Sequence, residues 1–249
     1  MKLDFYYWSY QCPLNNEMLK LLEEYKDSLD INIYDINENQ MLAKEQHMFF
    51  PTLIVVNNQH RYFSPLRRHF LDLLLLSELP KEKPYIPVIS FQVAFERIIP
   101  LTDMNCHIAS QCSGSCNADS SKRKATFLHH SNQDIYGFLN VDNENRLLGG
   151  VEYLSSMLVP YDIPKHKESA FITCIYDCDD SYDYKSKPLE ELENYLCNEY
   201  KDVYVISDEE STFPNGNLEF FLRNGYEDLG IVNEENNYCK LHLLRKVLK

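Results

Sequence analysis

Residues 6–16 read YYWSYQCPLNN, a run of aromatic side chains that ends in a cysteine and a proline. A strand-like stretch ends at Trp8, and an amphipathic helical pattern follows Pro13. Cys12 lies four positions after Trp8, and Ser9 stands where a second cysteine would complete a redox pair. The run therefore predicts a strand that turns into a helix, with one thiol at the junction.

The composition bounds the size and the partners of the protein. The chain has 249 residues, of which 44% are hydrophobic, enough for two modest domains. Its 24 basic and 38 acidic residues give a net charge of −14. A surface of that sign repels phosphate backbones, so we expect no nucleic-acid partner.

The apolar and cysteine patterns indicate a cellular location. The most apolar run, 70–76, is interrupted by Asp72 and is too short to cross a bilayer. The chain starts without a basic segment followed by a long apolar one, so no secretory signal is visible. Eight cysteines without a C-x-x-C pair indicate reduced thiols. We expect a cytoplasmic protein that does not associate with membranes; the oligomeric state is left open.

The order of patterns along the chain predicts two domains of the α/β (α+β) class. Residues 1–79 alternate between strands and helices, with a fully apolar strand at 52–56 and a last helix from about 65 to 79. Residues 80–87 contain three prolines among alternating charges, which predicts a linker. Residues 88–249 begin with strands and a cysteine-bearing region, followed by a hairpin signal at Asp142–Asn145.

The first domain resembles thioredoxin. The residues that carry the resemblance are Trp8, Cys12 and Pro13 after a strand, and Phe50-Pro51-Thr52 before the next apolar strand. The resemblance covers about the first third of the chain, and it implies a β/α sandwich in which a cis proline, here Pro51, faces the active-site thiols. Serine at position 9 cannot form a disulfide, so the dithiol exchange of that family is not available within this motif.

Cys12 is the thiol that this motif leaves. We expect it one turn into the helix, where it is either a packed, buried thiol or a monothiol sensor, or part of a site for glutathione-like ligands.

The second domain resembles the GNAT superfamily of acyl-CoA N-acyltransferases. The stretches DNENRLLGGVEY (142–153) and NLEFFLRNGYEDLG (217–230) carry the resemblance. It implies a mixed sheet with flanking helices and the transfer of an acyl group from acetyl-CoA, as cosubstrate, to an amine. The acceptor, a small-molecule or peptide amine, is left unidentified. We expect the first domain to recognise the substrate or a partner.

The GNAT resemblance also implies a site. Strands at 171–176 and 203–206 would splay to receive the pantetheine arm, and the loop 177–187 would hold the pyrophosphate at a helix N-terminus. Glu152 would be the catalytic base, with a solvated strand glutamate as the alternative. The implied cofactor-binding residues are Ile172, Thr173, Cys174, Tyr176, Lys185, Ser186, Lys187, Asn215 and Phe221.

Two features of the second domain favour an alternative function. No glycine occurs between Gly150 and Gly216, although the GNAT loop uses glycines to let the backbone approach the pyrophosphate. Phe221 stands where many members have a tyrosine that protonates the leaving thiolate, and phenylalanine has no proton to give. The alternative is a non-catalytic binding or thiol-sensing protein built from two degenerate folds.

A cysteine cluster and a basic run lie between the predicted strands of the second domain. Cys106, Cys112 and Cys116 occur beside His107, and three thiols with an imidazole can bind zinc. Their spacing matches no zinc module, so we predict no metal, with this trio as the alternative to free cysteines on a mobile loop. The basic run 120–124 is expected to be a solvated helix start or a contact for an anionic substrate.

Overall fold

The computed structural model describes the chain except residues 85, 115, 116, 180, 211–215, 236, 237 and 249. The described part is a mixed α/β protein with two sheets and seven α-helices, which confirms the expected fold class at that level. The strands are β1 (Lys2–Tyr7), β2 (Asp30–Asp35), β3 (Thr52–Val56), β4 (His60–Tyr62), β5 (Arg97–Leu101), β6 (Gly137–Val141), β7 (Leu147–Ser155), β8 (Ser169–Asp177), β9 (Asp202–Asp208), β10 (Glu227–Glu235) and β11 (Cys239–Val247). The helices are α1 (Leu14–Tyr25), α2 (Gln40–Glu45), α3 (Arg68–Leu75), α4 (Cys106–Ala109), α5 (Ala118–His129), α6 (Ser186–Leu196) and α7 (Leu218–Arg223).

The first sheet consists of four strands from the N-terminal part of the chain, in the order β2-β1-β3-β4. β1 runs parallel to β2 and antiparallel to β3. Every residue of β3 is buried, which agrees with its uninterrupted apolar sequence. Helix α1 buries Met18, Leu22 and Tyr25, spaced on one helical face, and they share a core with Leu3 and Phe5 of β1.

The second sheet consists of seven strands in the order β10-β11-β9-β8-β7-β6-β5. Its β6–β7 hairpin closes on Asp142, whose Oδ1 accepts hydrogen bonds from the backbone N–H groups of Glu144 (2.8 Å) and Arg146 (2.9 Å). Asn145 has a φ of 61°, a left-handed conformation that asparagine tolerates better than most residues. The hairpin predicted at 142–145 is therefore confirmed.

Strands β8 and β9 make the only parallel pairing among the described strands of the second sheet. They pair over three residues, from Ser169 opposite Asp202 to Phe171 opposite Tyr204, and no further register is formed between them. On the other side of β8, Cys174 pairs with Glu152 and Ile172 with Tyr153, so Thr173 is an extra residue in a bulge. The two strands therefore separate just where β8 is bulged.

One hydrophobic core joins the two sheets. Trp8 packs edge-on against Tyr161, with ring centroids 5.1 Å apart, and against Phe127 of α5 at 5.9 Å. Phe50 and Phe171 belong to the same buried cluster, so residues from both parts of the chain fill it. Aromatic pairs of this kind contribute about 0.5–1.5 kcal/mol each beyond area burial. The parts before and after the predicted linker are thus packed together through apolar contacts.

The structure corrects two boundaries. Helix α1 begins at Leu14, so Cys12 precedes the helix instead of lying one turn inside it. Helix α3 ends at Leu75, and within residues 76–96 the described part holds no helix or sheet strand, with a single bridge from Val93 to Asp183. Among the described residues, no helix is both long and apolar enough to cross a membrane.

Candidate functional site

A buried ion pair lies between α5 and β7. Lys124 Nζ is 2.7 Å from Glu152 Oε1, and each side chain is only 1% exposed. The Tyr176 hydroxyl donates a second hydrogen bond to the same oxygen, at 3.2 Å. Oε2 of Glu152 is buried and has no hydrogen-bond partner among the described residues. Burial lowers the pKa of Lys124, but the adjacent Glu152 more than offsets this and the net pKa is raised, so the lysine keeps its positive charge.

Local geometry places both charges inside the protein. Lys124 shares the buried face of α5 with Ser120, Ser121 and Leu128, residues at the i−4, i−3 and i+4 positions. Glu152 lies in β7 directly opposite Cys174, next to the bulge in β8. The alternative of a solvated strand glutamate is therefore wrong. In the basic run at the start of α5, Lys122 and Arg123 are exposed as expected for a solvated helix start, whereas Lys124 is buried. The role of Glu152 as a base stays a prediction.

The N-terminal part of the chain closes over this ion pair. Gln11 is buried, and its Nε2 donates to the backbone carbonyl of Thr173 at 3.3 Å. Lys124 Nζ in turn donates to the carbonyl of Gln11 at 3.3 Å. Cys12 is buried beside it, and burial raises the pKa of this thiol to about 11. The Thr173 carbonyl at the bulge of β8 thus accepts a hydrogen bond from Gln11, in the N-terminal part of the same chain.

A polar seam fixes α1 against α5. Asn16 Nδ2 donates to Asp119 Oδ2 at 3.1 Å and to Ser120 Oγ at 3.0 Å. Lys20 Nζ lies 2.9 Å from the Asp119 carboxylate. The hydrogen bond from Lys20 and that from Asn16 lower the pKa of Asp119 to about 2. These contacts hold the N-terminal part in one orientation on the second sheet.

The start of α6 holds a carboxylate of its own chain. Asp183 Oδ1 accepts hydrogen bonds from the N–H groups of Lys185 (3.1 Å) and Ser186 (3.0 Å), and Oδ2 accepts from Ser186 Oγ at 2.6 Å. The Lys185 ammonium is paired with Asp177. Lys187 is paired with Glu190 at 2.5 Å. The groups expected to hold a pyrophosphate are therefore bonded to carboxylates, and in this arrangement they do not fit the phosphates of coenzyme A.

The remaining residues predicted for the cofactor lie on or near β8. Ile172 and Thr173 are buried, and Cys174 and Tyr176 are of intermediate exposure. Phe221 of α7 is fully buried against Phe220 and Tyr226, each ring centroid 5.1 Å away. Asn215 lies outside the described residues.

The cysteine cluster is divided by what the structure describes. Cys106 is buried, its Sγ donates to the Thr102 carbonyl at 3.3 Å, and burial raises the pKa of the thiol to about 12. Burial also raises the pKa of Cys112. Cys116 lies outside the described residues. Within the part of the chain that is described, no group of three histidine, cysteine or acidic residues is arranged to hold a metal ion.

A groove of about 710 Å³ lies between the N-terminal part and α5. Ser9, the residue in the position of the missing cysteine, lines it together with Tyr10, Asp35, Glu38, Lys122 and Arg123. Ser9 has a φ of 39°, and its N–H donates to Asp35 Oδ1 at 3.1 Å. A left-handed φ at a non-glycine residue costs about 1–3 kcal/mol, so this turn is held by its surroundings.

Sequence reasoning included Lys124 only as part of the basic run 120–124. It did not identify the burial of Lys124, the contact of Gln11 or the groove. The spacing of Lys124 from Leu128 places it in the apolar stripe of α5, which is a signal for a buried lysine. The part played by Gln11 has no local signal, because its side-chain partner lies 162 residues away in the chain.

No family model and no curated protein matches the chain. Solved acetyltransferases resemble it only distantly. The N-acetyltransferase of Staphylococcus aureus Mu50 shares 15% identity over 61% of this chain and 98% of its own, with a TM-score of 0.45. An aminoglycoside 6'-N-acetyltransferase of Enterococcus faecium shares 12% identity over 62% and 98%, with a TM-score of 0.44. A GNAT-family acetyltransferase of Streptococcus pneumoniae shares 11% over 61% and 99%, with a TM-score of 0.45. Similarity this distant assigns no activity and transfers no residue role.

Proposed function

We propose that the chain is a ligand-binding protein built from a thioredoxin-like unit (1–79) and a GNAT-like unit (88–249), joined by residues 80–87, and that it does not turn over acyl-CoA. The observation that carries the proposal is the Asp183 carboxylate on the N–H groups of Lys185 and Ser186. A carboxylate in that position both uses the donors and repels a diphosphate.

The thioredoxin-like character of the first unit is part of the proposal. Its support is the strand order β2-β1-β3-β4 together with the hydrogen bond from the Trp8 N–H to the Pro51 carbonyl at 2.9 Å. That bond joins the two motifs of the sequence, WSYQCP and FPT. Ser9 supplies no thiol, and the raised pKa of Cys12 leaves that thiol protonated near neutral pH. A binding role suits such a unit better than a redox role.

The contact at β8 supports the same conclusion. A strand that receives a ligand arm where it separates from its neighbour needs free backbone groups there, and the Thr173 carbonyl already accepts a hydrogen bond from the side-chain amide of Gln11. Gly216 also lies against β8, since a Cβ at that position would be 3.4 Å from Ile175 Cγ2. Where β8 separates from β9, other residues of the same chain, Gln11 and Gly216, therefore already contact β8. A cytoplasmic location stays a prediction.

Isothermal titration with acetyl-CoA tests the proposal. We expect no binding heat at millimolar acetyl-CoA for the unaltered protein. Micromolar binding with turnover against an amine panel would sink the proposal. Asp183→Ala frees the two N–H groups and is the informative variant. Asp179→Ala is its matched control, because Asp179 lies in the same loop, is exposed and accepts a hydrogen bond from the Ser181 N–H instead of from the start of α6.

An N-acyltransferase is the second candidate, with acetyl-CoA as cosubstrate and an unidentified amine as acceptor. The observation that favours it is the early separation of β8 from β9 at the bulge of Thr173, with Glu152 on the neighbouring strand. Glu152 would then be the base that takes the proton of the amine. This function requires both Asp183 and Gln11 to leave their present partners. Turnover that is lost in Glu152→Gln, with folding intact, is the result that this candidate predicts.

A further inference from the structure

The groove between α5 and the N-terminal part exists only because the two parts of the chain pack together. Its volume of about 710 Å³ falls within the range typical of small-molecule sites, about 300–1,000 Å³. Residues near the ends of β1 and β2 line one side, and residues of α5 line the other. Since the seam between α1 and α5 fixes their orientation, the groove is a preformed feature of the fold.

The charges on the two sides are opposite in sign. Asp35 and Glu38 lie on the side of β2, and Lys122 and Arg123 lie on the side of α5. The side chains of Glu38 and Lys122 make no hydrogen bond or ion pair with any described residue. Asp119 also lines the groove, but it pairs with Lys20 at 2.9 Å as well as with Arg123 at 3.3 Å, so the two cations together outweigh this one carboxylate. The groove therefore offers a negative side and a positive side to a ligand.

Apolar side chains also line the groove, and a contact between its two sides braces it. Phe127, Leu154 and Leu158 line it, and Leu154 is buried in the shared core. The Arg123 guanidinium lies 5.0 Å from the centre of the Tyr10 ring, and its Nη1 donates to the Tyr10 hydroxyl at 2.8 Å. This contact spans from the N-terminal part to α5 and holds one edge of the groove in place.

We infer that this groove binds a zwitterionic ligand of the amino-acid class, in the form of a short peptide with free termini. The ammonium group lies at Asp35 and Glu38, the carboxylate lies at Lys122 and Arg123, and an apolar side chain contacts Phe127. Because the two sides of the groove have opposite charges, a ligand with charges of a single sign is repelled by one of the sides. This inference rests on the proposed binding function.

Isothermal titration with leucyl-leucine as the probe tests the inference on the full chain. Two capped forms are matched controls: N-acetyl-leucyl-leucine lacks the ammonium group, and leucyl-leucine amide lacks the carboxylate. We expect saturable binding of the free dipeptide and about twofold to fivefold weaker binding of each capped form, as for partly exposed ion pairs. Glu38→Gln and Lys122→Gln should weaken the free dipeptide by similar factors. Glu191→Gln and Lys167→Gln, exposed residues that do not line the groove, should change nothing.

Combining the variants with the capped peptides shows which side of the groove binds which terminus of the peptide. Glu38→Gln should not weaken the N-acetylated form further, and Lys122→Gln should not weaken the amide further, because the partner group is already gone. No binding at millimolar dipeptide, equal binding of all three peptides, or the opposite pairing of variants with caps would overturn the inference. Acetyl-CoA is titrated separately: its binding would overturn the proposed function and leave the dipeptide result to be judged by itself.

Discussion

The ion pair between Lys124 and Glu152 makes a sharp prediction about stability. Replacing Lys124 by methionine keeps an unbranched apolar stem, one atom shorter, and removes the charge. Among the described residues, the Glu152 carboxylate then loses its contact at 2.7 Å and keeps only the Tyr176 hydroxyl on Oε1, while Oε2 has no hydrogen-bond partner to begin with. The carbonyl of Gln11 loses its bond from Lys124 as well. A buried carboxylate would be left without a counter-charge.

The expected cost follows from that loss. Removing one member of a buried ion pair costs about 3–5 kcal/mol of the free energy of unfolding, because the remaining charge stays out of water. A loss of this size is a large part of the 5–15 kcal/mol that typically stabilises a domain. Lys124→Met combined with Glu152→Gln should cost less than the sum of the two single changes, by about 2 kcal/mol or more, since no uncompensated charge is left.

Urea unfolding followed by tryptophan fluorescence is a suitable assay. Trp8 is the single tryptophan of the chain, and it is buried between the two sheets, so its emission reports their separation. Lys122→Met, an exposed position on the same helix, is the control and should change stability by less than about 0.5 kcal/mol. If Lys124→Met is no more costly than the control, or if the two single costs simply add, the reasoning about the buried pair is refuted.

Three further predictions concern a thiol, a helix start and a strand contact. With a pKa of about 11, about one in a thousand Cys12 thiols is ionised at pH 8, so iodoacetamide should label Cys12 far more slowly than the exposed Cys197; equal rates by mass spectrometry would contradict its burial. Asp183→Ala removes the acceptor at the start of α6 and should lower the free energy of unfolding by about 1 kcal/mol in urea; an unchanged midpoint would show that the hydrogen bonds contribute nothing. Gly149→Ala places a Cβ 2.8 Å from the backbone oxygen of Tyr184 and should cost about 1–3 kcal/mol by thermal unfolding; a melting temperature equal to that of the unaltered protein would speak against this contact.

Patterns between neighbouring residues fixed several elements before any tertiary contact was considered. The hairpin at 142–145 could be predicted because Asp142 and Asn145 favour the turn through their own side chains and backbone. Gly225, with a φ of 83°, ends the segment of α7 because glycine adopts the left-handed conformation without strain. The buried strand β3 could be predicted as well, since the four consecutive apolar residues that follow Thr52 suit a strand covered on both faces.

The candidate site could not be predicted from the sequence in the same way. The loop 177–187 was predicted from a resemblance to hold a phosphate, and its sequence shows four aspartates among its residues without saying which one bonds the helix start. Only the folded loop selects Asp183 for that position and pairs Asp177 with Lys185. The sequence thus predicted the position of the loop, and the side-chain geometry decided what the loop can hold.

The sequence by itself determined the α/β class, the hairpin and the buried strand, because those depend on residues a few positions apart. Tertiary structure alone decided that Gln11 bonds the carbonyl of Thr173, 162 residues away, and that Lys124 is buried against Glu152. It also decided that Ser9 lines a groove shared with α5. Such contacts depend on how two parts of the chain, each predictable by itself, pack against each other. No local sequence pattern specifies which of their residues come into contact.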